Sequence, residues 1–482
     1  MKDSLLSKIS PKALYKRINK TLKIIFKRNI DTSTPEGREE KRQQAITLTA
    51  TIASVAKIIA LLVPFITVRI TRSYLGEEIY GLWSSVNSFF AVFAFADLGL
   101  GSGLQTNLSK ANGKDNNDDE CNMLISSTFV MLSLVAGLLI FLFLGVYYFI
   151  DWATLVGAKE PEAIALAGPV FLAIFLPKLI DIPIALTQRT QIAFQEGYNS
   201  YIWSIGGSIL SVVSVVLNSI LGAPKLFMIL CSSLIPTVVT ALNFIYYFIF
   251  TKRKKYFPRF KWFNINICKS MLHTGFGFLI IHILMNMGLS HMDSFIVGNI
   301  DSLSMAGDYS ICLKVAAVIN IIANMFGLPL WGVYGEALAR GEAGYVKKHV
   351  VKQSCFMLGI TLFATICGMI LSPIAFKIIV GNDFTYNPIT LLGMFLLQVV
   401  FAAVNPFFMI LNGTGDVKTQ ILAYGVFTPI SFILKWTLCP IFGIDLMPWI
   451  TAISYLIVMY PIIIKKALII IKRYESRKED TL

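Results

Sequence analysis

Lys57, Lys178 and Lys314 each fall deep inside an apolar stretch long enough to cross a bilayer. A lysine at the centre of a membrane helix costs roughly 2.5–3.5 kcal/mol on insertion scales, so all three are expected to face the protein interior. Cations held in this way suit an anion, and phosphate best of all. Lys178 has Asp181 one helical turn further on and is expected to be neutralised by it. Lys57 and Lys314 have no acid at i±3 or i±4, which makes them the first candidates for a cationic cavity. Arg69 and Arg72, stacked at i+3 beyond Lys57, extend that cavity unless they pair with Glu77 or Glu78. Arg189, in the run TQRTQ, either meets an incoming anion or only marks topology. Lys435 lies near a helix end and is expected to snorkel. Asp181, Asp293 and Asp308 are candidate sites for a coupling proton or Na⁺, each with a structural ion pair as the plainer reading.

Other chemistry is excluded by spacing. His273, His282 and His291 recur every nine residues, which alternates them around a helix and separates the outer two by about 27 Å, so they share no metal. GTGDVKT (413–419) lacks the G-x-x-x-x-G-K-[ST] spacing of a phosphate loop and joins two apolar stretches without a strand. Glu77 and Glu78 resemble a catalytic acidic pair, but the loops on their side are too short to build a glycosyltransferase or polymerase domain. No catalytic residue, metal or cofactor is expected. The seven cysteines show no pairwise spacing and read as free thiols.

The run FADLGLGSGL (95–104) poses a different problem: Asp97, Gly99, Gly101 and Gly103 all weaken the helix that carries them. Gly99 and Gly103 at i+4 allow close backbone approach, and three glycines soften a helix end. A gate with Asp97 as its switchable partner is the expectation, set against a static, tightly packed helix end.

The elements that position these residues follow from composition. The chain has 482 residues, 55% of them hydrophobic and 15% charged, which marks an all-α polytopic membrane protein. Twelve apolar stretches of about 20 residues or more are expected near 46–70, 79–104, 123–150, 163–186, 199–222, 226–250, 271–297, 305–333, 353–372, 387–411, 418–440 and 446–468. With both termini cytoplasmic, 33 of the 42 Lys and Arg fall on the inner side and four on the outer. Basic residues distributed along one membrane face account for the net charge of +14 and argue against nucleic-acid binding. Residues 11–30 read as a basic amphipathic segment on the inner leaflet, or as a basic tail, within a cytoplasmic region 1–44. The basic connector 251–270 divides a first six-helix lobe, 45–250, from a second, 271–470, with a tail at 471–482. Shifted by 226 residues, YGLWSSVNSFF falls on AGDYSICLKVA, and Gly101 falls on Gly327. Both lobes also place a short polar turn after their fourth helix, AFQEGYNS and MILNGTGDVK, so two pseudo-symmetric halves around a central cavity are expected.

The stretch SYLGEEIYGLWSSVNSFFAVFAFADLGLGSGLQTNLSKANG (73–113) resembles the signature of Wzx-type bacterial polysaccharide flippases. Tyr74, Leu75, Gly76, Tyr80, Gly81, Leu82, Trp83 and the run Asp97 to Gly101 carry that similarity. These flippases serve O-antigen, capsule or teichuronic-type polysaccharides within the multidrug/oligosaccharidyl-lipid/polysaccharide (MOP) exporter superfamily, which includes the MATE transporters. The resemblance implies a MATE-like fold in a bacterial cytoplasmic membrane. It also implies alternating-access flipping of an undecaprenyl-pyrophosphate-linked oligosaccharide, with H⁺ or Na⁺ as coupling ion and a polysaccharide polymerase and chain-length machinery as partners. Two relatives remain as alternatives. A multidrug exporter calls for an acidic cavity, and a peptidoglycan-precursor flippase often has two more helices.

Overall fold

The computed structural model describes residues 35–91, 99–112, 118–327, 329–382 and 384–479. The expected segment 11–30 and Asp97 lie outside the described residues. The described chain is helical throughout. Helix α1 spans Pro35–Leu75, α2 Glu77–Ala91 and α3 Leu100–Asn112. Helix α4 (Asp118–Tyr147) and the short α5 (Trp152–Val156) are followed by α6 (Pro161–Ile184), α7 (Leu186–Ala193), α8 (Gly197–Ile220) and α9 (Lys225–Ile245). The second half opens with α10 (Ile265–Gly288) and α11 (Asp293–Ile300), then α12 (Leu303–Gly327) and α13 (Pro329–Ala339). It closes with α14 (Ala343–Ile379), α15 (Pro388–Thr414), α16 (Val417–Phe442) and α17 (Met447–Glu479).

Ten described helical segments are long and apolar enough to cross a membrane, and α10 with α11 adds an eleventh span bent by 60°. Of the remaining expected stretch, 79–104, residues 79–91 lie in α2 and 100–104 in α3, and 92–98 lie outside the described residues. The bend before α11 would strand backbone carbonyls in hydrocarbon, where nothing else can bond them. Helix α16 supplies the donors instead. Lys435 Nζ reaches the carbonyls of Gly288 and Leu289 at 3.3 and 3.0 Å, and Ser431 Oγ donates to Gly288 at 2.8 Å.

The 226-residue shift has a geometric meaning. Residues it relates meet one another across the α2–α12 contact, as they must if a pseudo-two-fold axis runs between those helices. Ser310 Oγ lies 3.0 Å from Ser84 Oγ, and the Ser304 N–H donates to Glu78 at 3.2 Å. A Cβ on Gly307 would lie 3.2 Å from Gly81.

Burial divides the molecule by height. At the end carrying Gly76, α5 and Gly443, one apolar core combines both lobes, from Leu75, Tyr80 and Phe171 to Ile296, Leu303 and Phe395. At the opposite, basic end the cores separate. Leu104, Ile125 and Tyr247 belong to one, joined by Met271 of α10, and Tyr334, Ile410 and Met459 to the other. The two lobes therefore share one core at the far end, whereas at the basic end only α10 of the second lobe joins the first-lobe core.

Three turns at the basic end share one hydrogen-bond pattern. The N–H groups of Glu196, Glu342 and Asp416 each return to a carbonyl five residues back, after a residue with positive φ. In two of them the acid then holds a cation from a neighbouring element: Glu196 binds Arg253 at 2.8 Å and Asp416 binds Lys466 at 3.1 Å. Partial burial pushes the Asp416 carboxyl up. The Thr419 N–H and hydroxyl and Lys466 outweigh that effect and hold it below the usual carboxylate range. Glycine fills the left-handed position in two of the turns, but Gln195 fills it in the first at φ 62°. A side chain there costs about 1 kcal/mol. Gln195→Gly is thus expected to raise the thermal midpoint of the detergent-solubilised protein, and Gln195→Val to lower it.

Candidate functional site

Lys57 and Lys314 come from opposite lobes and line one cavity of about 580 Å³ between α1 and α12. Apart from Asn324 its other walls are apolar, Phe65 and Ile321 among them, and Lys57 is exposed. Lys314 Nζ donates to the Tyr80 hydroxyl at 2.7 Å and lies 5.9 Å from the centre of the Trp83 ring. A neutral phenol and an aromatic face orient this ammonium without cancelling its charge.

A second cavity, about 660 Å³, lies within the first lobe and is lined by Lys178, Asp181, Arg189 and Trp83. The expected neutralisation of Lys178 by Asp181 does not occur. Lys178 Nζ turns to Asn87 Oδ1 at 2.9 Å and lies 4.4 Å from the Phe90 ring centre, while Asp181 Oδ1 is buried without a hydrogen-bond partner. Position i+3 permits contact on a helix but does not compel it, and α2 offers Lys178 a neutral acceptor and an aromatic face instead. Tyr80, Trp83, Asn87 and Phe90 follow one another at intervals of three, four and three along α2. That spacing forms a single stripe, which receives Lys314 from one lobe and Lys178 from the other. The stripe was legible as a periodicity, although only Tyr80 and Trp83 stood out beforehand.

The remaining charges are engaged at the far end. Arg72 bridges Glu77 and Asp308, each at 2.8 Å, and Glu77 also accepts from Ser304 Oγ at 3.1 Å. This is the ion-pair alternative for Arg72, extended to a second lobe partner; Arg69 is exposed. Lys435 does not snorkel. It is fully buried and sits 2.6 Å from Asp293, which is itself fully buried and also accepts from the Tyr309 hydroxyl at 3.1 Å. A bent helix with free carbonyls and a carboxylate draws the ammonium inward. Asp293 and Asp308 are thus both paired in this conformation.

Among the gate candidates, Gly99 has φ +73° and leads into α3, where the Gly103 N–H bonds back to its carbonyl at 3.1 Å. Gly101 lines the first-lobe cavity, and a Cβ on Gly103 would lie 3.4 Å from Met271 of α10. A third cavity, about 630 Å³, lies between the lobes at the basic end and is lined by Gly99, Arg189 and residues of α10, α13, α15 and α16. Arg189 therefore faces both this cavity and the first-lobe one. The tightest interlobe backbone approach is elsewhere, at Gly81, where a Cβ would fall 1.5 Å from the Leu303 carbonyl oxygen.

The sequence profile of polysaccharide biosynthesis proteins matches residues 48–329, more than half of the chain. The protein belongs to that family. No curated protein matches it closely enough to count as a relative. Solved structures show a similar fold. An inward-facing MATE multidrug transporter of the MOP superfamily is 13% identical with a TM-score of 0.68, covering 90% of this chain and 100% of its own. The lipid II flippase MurJ in an inward closed conformation is 14% identical at a TM-score of 0.63, covering 89% and 90%. A MOP transporter from Pyrococcus furiosus, described as having a binding pocket of reversed polarity, is 15% identical at 0.58, covering 91% and 97%. This member of the polysaccharide biosynthesis family thus has ten or eleven described segments long and apolar enough to cross a membrane, in a fold like that of these transporters.

Proposed function

We propose that the protein flips an undecaprenyl-pyrophosphate-linked oligosaccharide from the inner to the outer leaflet of a bacterial cytoplasmic membrane for surface polysaccharide synthesis. The observation that carries this reading is the shared cavity of Lys57 and Lys314. Two lysines from opposite lobes line a space whose other walls are apolar apart from Asn324, beside the α1–α12 boundary. A diphosphate suits the two ammonium groups, and a polyprenyl chain can pass between α1 and α12 without leaving lipid. Family membership and the lipid II flippase neighbour support a lipid-linked cargo.

The basic end is taken as cytoplasmic, following the distribution of lysine and arginine. Apart from α10, the lobes 45–250 and 271–470 have separate cores there, so this conformation would receive cargo from the cytoplasmic side. Lys178 and Arg189 would guide the anionic head past α2, and Asp181, with its unpartnered oxygen, would take the coupling H⁺ or Na⁺. Asp97, Gly99, Gly101 and Gly103 would form the hinge that closes the basic end. Arg72, Glu77 and Asp308 would release one another when the far end opens.

Purified protein in liposomes carrying labelled undecaprenyl-pyrophosphate oligosaccharide tests this reading. The wild type should expose label to an external glycosidase faster than empty liposomes do, and Lys57→Ala and Lys314→Ala should each slow it about tenfold or more. That factor corresponds to losing a hydrogen bond to a charged group, about 1.5–3 kcal/mol. Equal rates with and without protein, together with export of an organic cation, would move the protein to the drug-exporter branch.

A further inference from the structure

The cavity between the lobes at the basic end differs in chemistry from the two lysine cavities. Its described lining contains no Asp or Glu, and Arg189 is its one Lys or Arg. Beside Thr106 and His282, amides and aromatic side chains of the second lobe dominate its polar surface, notably Asn405, Asn412, Gln420, Tyr424 and Trp331. From this we infer that the second-lobe wall of the cavity is a carbohydrate subsite for uncharged pyranose rings. The inference rests on the flippase reading and divides its cargo between two places, diphosphate at the lysines and sugar at α13 and α15.

Three observations carry it. First, the lining presents the side-chain amides of Asn405, Asn412 and Gln420, groups that can both donate to and accept from sugar hydroxyls. Second, Gln420 Nε2 donates to Asn412 Oδ1 at 2.8 Å, which leaves the Asn412 amide nitrogen only the weak acceptor Met409 Sδ at 4.0 Å. Asn412 therefore has donor capacity to spare for a hydroxyl or N-acetyl oxygen. Third, Trp331 is 45% exposed while lining the cavity. Its negative ring face suits the polarised axial C–H groups of a pyranose. An organic cation would find no described carboxylate there to balance its charge. The volume of about 630 Å³ lies within the range of about 300–1,000 Å³ common for ligand sites.

The test compares two probes on the full-length protein in nanodiscs: undecaprenyl pyrophosphate, and undecaprenyl-pyrophosphoryl-N-acetylglucosamine. The wild type should bind the sugar-bearing lipid at least tenfold more tightly. Trp331→Ala should reduce that preference below twofold without changing Kd for the bare lipid, and Trp331→Phe should restore it. Asn405→Leu is the second variant and should act like Trp331→Ala. Equal wild-type affinity for both lipids, or a preference retained in both Trp331→Ala and Asn405→Leu, overturns the subsite and leaves the flippase reading standing. A wild type that binds neither lipid overturns both.

Discussion

Gly81→Ala is expected to stop transport and to unseal the far end. The added Cβ would lie 1.5 Å from the Leu303 carbonyl oxygen and 2.2 Å from its carbon. Neither atom can swing aside, since both belong to the backbone at the start of α12. Helices α2 and α12 would have to separate, and with them the single core that fuses the lobes. Overpacking of a well-filled core commonly costs about 1–3 kcal/mol, and a backbone clash of this depth should exceed that range. The conformation described here would then be depopulated by more than 100-fold. The measurement is maleimide labelling of Ser84→Cys, whose wild-type side chain is 8% exposed within the seal. Labelling from the far side should be absent with glycine at 81 and rapid with alanine. Gly307→Ala should act more weakly, because its nearest neighbour, at 2.9 Å, is a carbon of the Tyr80 ring. Gly332→Ala, with nothing within 4 Å, is the control. Unchanged labelling and flipping in Gly81→Ala would show that α2 and α12 are not closely packed at this point.

The second large effect concerns the buried pair. Asp293→Leu leaves Lys435 charged and fully buried, and breaking such a pair by removing one partner costs about 3–5 kcal/mol. Lys435→Met should be at least as damaging, since it strands the carboxylate and also removes a donor from the Gly288 and Leu289 carbonyls. The double variant Asp293→Leu/Lys435→Met should recover most of the loss but not all of it. Its residual deficit reports the unsatisfied carbonyls, about 1–3 kcal/mol. Thermal unfolding of the four proteins in detergent completes the cycle. Additive losses would mean that the two side chains do not interact.

That pair also shows where sequence reading reaches its limit. The spans were legible because hydrophobic length is a local property, and the 226-residue shift was legible because it preserves order along the chain. Lys57 and Lys314 stood out for the same reason, since neither has an acid within one helical turn. Contacts between distant helices leave no such trace. Lys435 meets Asp293 across 142 residues, and only the bend at Leu289 explains why it points inward. Lys178 turns 91 residues back along the chain to Asn87, past the nearer Asp181. Proximity in sequence decided which pairs could be considered, and tertiary packing decided which formed. The glycines of 99–103 drew attention by number, whereas the tighter approach belongs to Gly81, a lone glycine in an ordinary helical run.

The fused far-end core has a consequence for biosynthesis. Tyr80 and Gly81 of α2 are covered by Leu303, Gly307 and Lys314 of α12. Some 220 residues separate the two sides, which at about 5–20 residues per second takes a ribosome roughly 10–45 s. The basic-end core of the first half draws almost wholly on segments made before residue 257, so it can assemble as soon as they enter the bilayer. A nascent chain therefore waits with its lower half packed and the far-end face of α2 uncovered. That face needs a temporary partner, lipid or insertion machinery, until the second half emerges. Stalled or truncated chains would present it permanently, as a marker of incomplete synthesis that a membrane protease could read.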